Sequence, residues 1–143
     1  MLAKLSPELV SKYWDEIFPM IESAMPIVDN IEQRRKRILS SCLSGELVCW
    51  AILDQDNQML GLATTTFTLD NIDGERNLLL YTLFSKNGIA DETWSENYNS
   101  LRAFARGQGC QFVIGYTSML RLVELAEMLG ARTDERIIRM EVN

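Results

Sequence analysis

Residues 47–84 read LVCWAILDQDNQMLGLATTTFTLDNIDGERNLLLYTLF, and the spacing of their turns decides the fold. Leu47 to Leu53 is a near-continuous apolar run, Asp54 to Gln58 is a polar turn, and Met59 to Leu69 is rich in Leu, Thr and Phe. The two runs predict a hairpin. Asn71-Ile72-Asp73-Gly74 is a second turn signal, and Asn77 to Phe84 is a third strand, apolar enough to be covered on both faces. Together they make an antiparallel meander of three strands.

Upstream of the meander the period is helical. Ser6-Pro7-Glu8 opens a helix with Ser as cap and Pro in the first turn, where its missing N–H costs nothing. Val10, Tyr13, Trp14, Ile17 and Ile21 give it one buried face, and Pro26 ends it. A second helix starts near Asn30, with Ile31, Ile38, Leu39 and Cys42 as its apolar stripe, and closes at Ser44-Gly45. Downstream, Thr93 and Glu96 suggest a capping box before the stripe Trp94, Tyr98, Leu101 and Ala105. Gln111 to Thr117 reads as a short buried strand running parallel to Asn77–Phe84. Leu122, Leu125, Ala126 and Leu129 mark a further helix ending at Gly130, and Arg136 to Val142 a last strand. The expectation is one α/β (α+β) domain over residues 1–143, a mixed, mostly antiparallel sheet flanked by helices. Trp50, Leu80, Leu101, Ala105, Val113, Leu125 and Leu129 are its expected core.

Composition narrows the function. Of 143 residues, 47% are hydrophobic and 24% charged, ordinary for a folded domain. No apolar run approaches the roughly 20 residues of a membrane span, and Met1 to Pro7 has no signal-peptide core, so a cytoplasmic protein without membrane partners is expected. The net charge of −6 opposes nucleic-acid binding. Arg34-Arg35-Lys36-Arg37 is the one dense basic run, but four successive helical residues fan around the axis and form no phosphate-tracking face. Cys42, Cys49 and Cys110 lack metal spacing and read as free thiols, with no metal site expected. The chain contains no histidine, which removes Ser-His-Asp and Cys-His catalysis and the usual neutral-pH proton shuttle.

Several local patterns carry a resemblance. Ala105-Arg106-Gly107-Gln108-Gly109-Cys110 precedes an apolar strand, and a helix then ends Met128-Leu129-Gly130-Ala131. Trp50 is followed by a turn and Leu60-Gly61-Leu62-Ala63. These patterns resemble the GNAT superfamily of acyl-CoA-dependent N-acyltransferases over roughly residues 30–142. The stretch Cys42 to Leu47, with Trp50, Trp94 and Gly109-Cys110, is further similar to small GNAT-like proteins of tailed phages and prophages. The resemblance implies acetyl-CoA as acyl donor and an amine as acceptor. It places the pantetheine on the backbone of Leu83, Phe84 and Ser85, and the pyrophosphate at a loop, Ser85 to Thr93, that opens a helix. In that loop Lys86, Asn87, Gly88, Thr93 and Trp94 are the candidate contacts, while Asp91 and Glu92 oppose an anion, so weak or absent binding is implied. The family's frequent Tyr acid falls on Ala126, and its L-G-F phenylalanine on Ala131.

Tyr81 and Tyr116 are the candidate catalytic hydroxyls, each able to give a proton to a leaving thiolate or a hydrogen bond to substrate; otherwise they are core aromatics. Two functions stay open at this stage. One is an N-acetyltransferase with a degenerate pyrophosphate loop. The other is a non-catalytic module that keeps the fold and binds a phage or host protein, in the host cytoplasm or the virion.

Overall fold

The computed structural model describes residues 1–117 and 119–142. Its elements are β1 (Leu2–Lys4), α1 (Pro7–Lys12), α2 (Trp14–Ser23), α3 (Ile31–Ser44), β2 (Val48–Leu53), β3 (Met59–Leu69), β4 (Arg76–Ser85), α4 (Asp91–Gly107), β5 (Phe112–Gly115) and α5 (Leu120–Met128). The sheet runs β1-β2-β3-β4-β5, antiparallel except for the parallel pair β4–β5. The meander and the parallel fourth strand of the sequence reading are both present. β1 was not foreseen, since three residues are too few to display a period.

Helices cover both faces of the sheet. On one face, Val10, Trp14, Ile17, Phe18 and Ile21 of the first two helices pack with Ile38, Cys42, Cys49 and Leu62. On the other, Leu101 and Ala105 of α4 pack with Trp50, Ala63 and Leu78. Trp50 meets Phe104 edge-on at 4.9 Å, and its indole N–H donates to Thr65 Oγ1 at 2.8 Å, so the buried polar end of the ring has a partner. Of the expected core, Trp50, Leu101, Ala105 and Leu125 are buried, whereas Leu80, Val113 and Leu129 are half-buried.

Four local expectations need correction. The first helix is two helices, broken at Tyr13, which turns outward while Val10 and Trp14 both reach the core; α2 stops at Ser23, ahead of Pro26. α4 begins at Asp91 rather than Thr93, with Ala90 as a cap lacking any side-chain bond. Two acids then sit in the first turn, where the helix dipole favours them, and Glu96 is drawn away from the expected box to the Met1 ammonium at 3.7 Å. Arg136–Val142 forms no strand: its alternation is suitable, but a strand exists only on a neighbour's hydrogen bonds, and Ile138, Met140 and Val142 stand exposed. Trp94, the first residue of the apolar stripe expected on α4, is only half-buried.

Candidate functional site

The candidate site is a fork between β4 and β5, and a β-bulge makes it. Along β3 and β4 the register runs Thr64↔Thr82 and then Thr65↔Leu80, so Tyr81 is one residue extra on β4. The bulge reverses which edge each β4 residue addresses. Before it, Arg76 accepts from Gln111 N on the β5 side at 2.7 Å, and the parallel ladder continues to Leu80↔Gly115. After it, Thr82 N donates to Thr64 Oγ1 at 3.1 Å and Lys86 N to Leu60 O at 3.0 Å, both on the β3 side. Backbone alternation then turns the N–H and C=O of Leu83 and Ser85 toward β5. The ladder has already ended at Leu80, so these groups open into the fork.

Thr64 holds the bulge in place. It is fully buried, accepts the Thr82 N–H and lies 2.6 Å from the Thr82 hydroxyl, which satisfies a backbone donor that the extra residue takes out of the ladder. Gly61 serves the same junction, because any Cβ there would strike the carbonyl oxygen of Phe84.

The residues selected from the sequence lie along the strands that border this fork and in the loop and helix that follow β4. Tyr81 is the bulge residue and Tyr116 follows β5 directly; they are 45% and 65% exposed, so neither is a core aromatic. Leu83 and Ser85 present backbone to the fork, whereas Phe84 addresses β3. Lys86, Asn87 and Gly88 form an exposed turn with Gly88 at φ +79°, a left-handed conformation natural to glycine. Thr93 and Trp94 lie in the first turn of α4. Trp94 N donates to Ala90 O at 3.0 Å, so the amides of Asp91, Glu92 and Thr93 are the ones without a helical acceptor.

Arg121 borders the candidate site and carries no local signal in the sequence that would single it out. It reaches from α5 to Asp91 at 2.5 Å and neutralises one of the two first-turn acids, leaving Glu92 exposed. Its partner lies thirty positions away in the chain, and only the fold joins them. Two further features lay beyond the sequence. The Ser85 hydroxyl is buried with no partner among the described residues, and so is the whole carboxamide of Asn97, one turn below Thr93. Elsewhere, the basic run is spread as expected: Arg34 donates to Pro26 O and Arg35 pairs with Asp15, each at 2.5 Å.

No family model matches the chain, and no curated protein matches it by sequence. Solved structures match it in shape. The aminoglycoside N-acetyltransferase AAC(6')-Iy, bound to a bisubstrate CoA analogue, superposes with a TM-score of 0.75 at 13% identity, covering 100% of this chain and 97% of that one. A predicted acetyltransferase from Clostridium acetobutylicum, solved with acetyl-CoA, gives 0.72 at 12% identity and 99% and 96% coverage. Glucosamine-6-phosphate N-acetyltransferase from Arabidopsis thaliana gives 0.68 at 11% identity, with 100% and 98% coverage. The class that fold and fork define is the GNAT-type α/β fold. Among the described residues, no helix is long and apolar enough to cross a membrane.

Proposed function

We propose that the chain is a GNAT-type N-acyltransferase that takes an acyl group from an acyl-CoA to an amine. The observation that carries this reading is the fork itself, where a bulge at Tyr81 leaves the backbone of Leu83 and Ser85 facing a gap between two parallel strands. That gap has the polarity to pair with the amides of an extended pantetheine arm, much as an added strand would. The unpartnered Ser85 hydroxyl and the three open amides at the start of α4 fit a polar, phosphate-bearing ligand. Acetyl-CoA, when bound, supplies an activated thioester.

The protein's own residues have three tasks. The β4 backbone holds the donor in line, so that much of the rate comes from positioning. Tyr81 or Tyr116, both at the mouth of the fork, protonates the departing thiolate, a role that Ala126 cannot fill. Water or an exposed carboxylate takes the proton from the acceptor amine, because the chain has no imidazole to do so.

Glu92 favours a second reading, a non-catalytic module of the kind encoded by tailed phages, since an exposed carboxylate in the first turn of α4 opposes an anion bound at that helix start. Calorimetric titration with acetyl-CoA separates the two. Weak saturable binding, together with a rise in melting temperature, supports the acyltransferase; at 100 times Kd the stabilisation is about 2.7 kcal/mol. No heat and no thermal shift at millimolar acetyl-CoA refutes it and leaves the module.

A further inference from the structure

We infer that Cys42 and Cys49 form a peroxide-sensitive dithiol site that closes reversibly to a disulfide between α3 and β2. Cys42 lies in the last full turn of α3 and Cys49 is the second residue of β2, on the face of the sheet away from α4. Their sulfurs are 3.7 Å apart, in van der Waals contact, and both residues are buried. The link between them is short and tightly tied. Gly45 ends α3 in a left-handed cap at φ +84°, Ser44 Oγ donates to Ser41 O at 3.1 Å, and Leu47 N returns to the same carbonyl at 3.0 Å. The turn therefore holds the thiols together without a covalent bond, and each sulfur must move by less than an ångström to reach the roughly 2.05 Å of a disulfide.

The pair is also chemically unequal. A hydrogen bond from Cys49 holds the Cys42 thiol below the usual thiol range, whereas donating it and being buried push Cys49 up. Cys42 is therefore the sulfur that ionises and Cys49 the one that resolves. With hydrogen peroxide as oxidant, the Cys42 thiolate attacks one peroxide oxygen and breaks the O–O bond. It becomes a sulfenic acid, and the departing hydroxide leaves as water after taking a proton. The Cys49 sulfur then attacks the Cys42 sulfur, loses its proton and expels a second water as the S–S bond forms. Two thiols are oxidised and one peroxide is reduced to two waters. Cys110 sits on the opposite side of the sheet, among the residues under α4, and has no part in the exchange.

The test uses the full chain as it folds. Reduced protein is exposed to hydrogen peroxide, unfolded in the presence of N-ethylmaleimide and weighed. The expected product carries one maleimide instead of three and is lighter by about 2 Da before labelling, with a Cys42–Cys49 cross-linked peptide and full reversal by dithiothreitol. In Cys49→Ser protein, the same exposure should leave a dimedone-reactive sulfenic acid on Cys42. Three labelled thiols after an exposure that fully oxidises free glutathione would overturn the inference, as would oxidation confined to Cys110 or a bridge only between two copies of the chain. None of these outcomes depends on acyl transfer.

Discussion

Replacing Thr64 with valine keeps shape and β-branching and removes only the hydroxyl, so it isolates what holds the bulge. In the native structure that oxygen accepts the Thr82 N–H at 3.1 Å and lies 2.6 Å from the Thr82 hydroxyl, at a site with no exposed surface. The variant leaves a buried backbone donor unpaired, at about 1–3 kcal/mol, and a buried hydroxyl without its neighbour, for about 1 kcal/mol more. Thr64→Val should therefore lose about 2–4 kcal/mol. For 143 residues the unfolding entropy is about 0.3 kcal/mol per degree, which places the melting point about 7–13 °C lower. Thr82→Val is the matched control: its backbone N–H keeps Thr64 as acceptor, and only about 1 kcal/mol should go. Urea and thermal unfolding followed by circular dichroism measure both. The bulge argument fails if Thr64→Val unfolds within 0.5 kcal/mol of the native chain, or if Thr82→Val is the more damaging of the two.

Other outcomes follow from the same geometry. Because Arg121 already neutralises Asp91, Glu92→Gln alone should tighten acetyl-CoA about fivefold by calorimetry, and adding Asp91→Asn should contribute little more, since it also frees Arg121 from its partner. A larger effect of Asp91→Asn than of Glu92→Gln would contradict this account. Leu125→Ala, on the buried side of α5, should cost about 2–5 kcal/mol in urea unfolding, and a loss under half a kcal/mol would mean that the helix is not docked. Gly61→Ala should destabilise by about 1–3 kcal/mol, through its collision with the Phe84 carbonyl, and should disturb the fork in amide-exchange measurements; a neutral result would show that β3 and β4 can part there without cost.

Much of the sheet was legible because its signals are local. The turns at 54–58 and 71–74 and the apolar runs between them define the meander without any long-range information. Ser6 and Asn30 accept from Leu9 N and Gln33 N, as their capping roles require. What escaped depends on partners far off in the chain. A Thr-x-x-Glu pattern cannot reveal that Glu96 is claimed by the amino terminus, nor can Arg136–Val142 reveal whether a neighbouring strand waits for it. At the fork, Leu83 and Ser85 were singled out only through resemblance. The bulge that turns them outward is a register shift between two strands, and no single strand's pattern records it.

At the fork this chain exposes main chain, and it shares its outline with solved structures at 11–13% identity although no family model and no curated protein matches it. What the fork presents is peptide groups, and a peptide group is the same chemical object in every residue but proline. Its specification is thus carried by the path of the main chain. Many alphabets of side chains can spell that path, provided that a few silent fixtures such as Gly61 and Thr64 keep the crease in the sheet. Change at the fork's residues then resembles rewriting a text in another script: the letters drift, while what is read aloud stays the same.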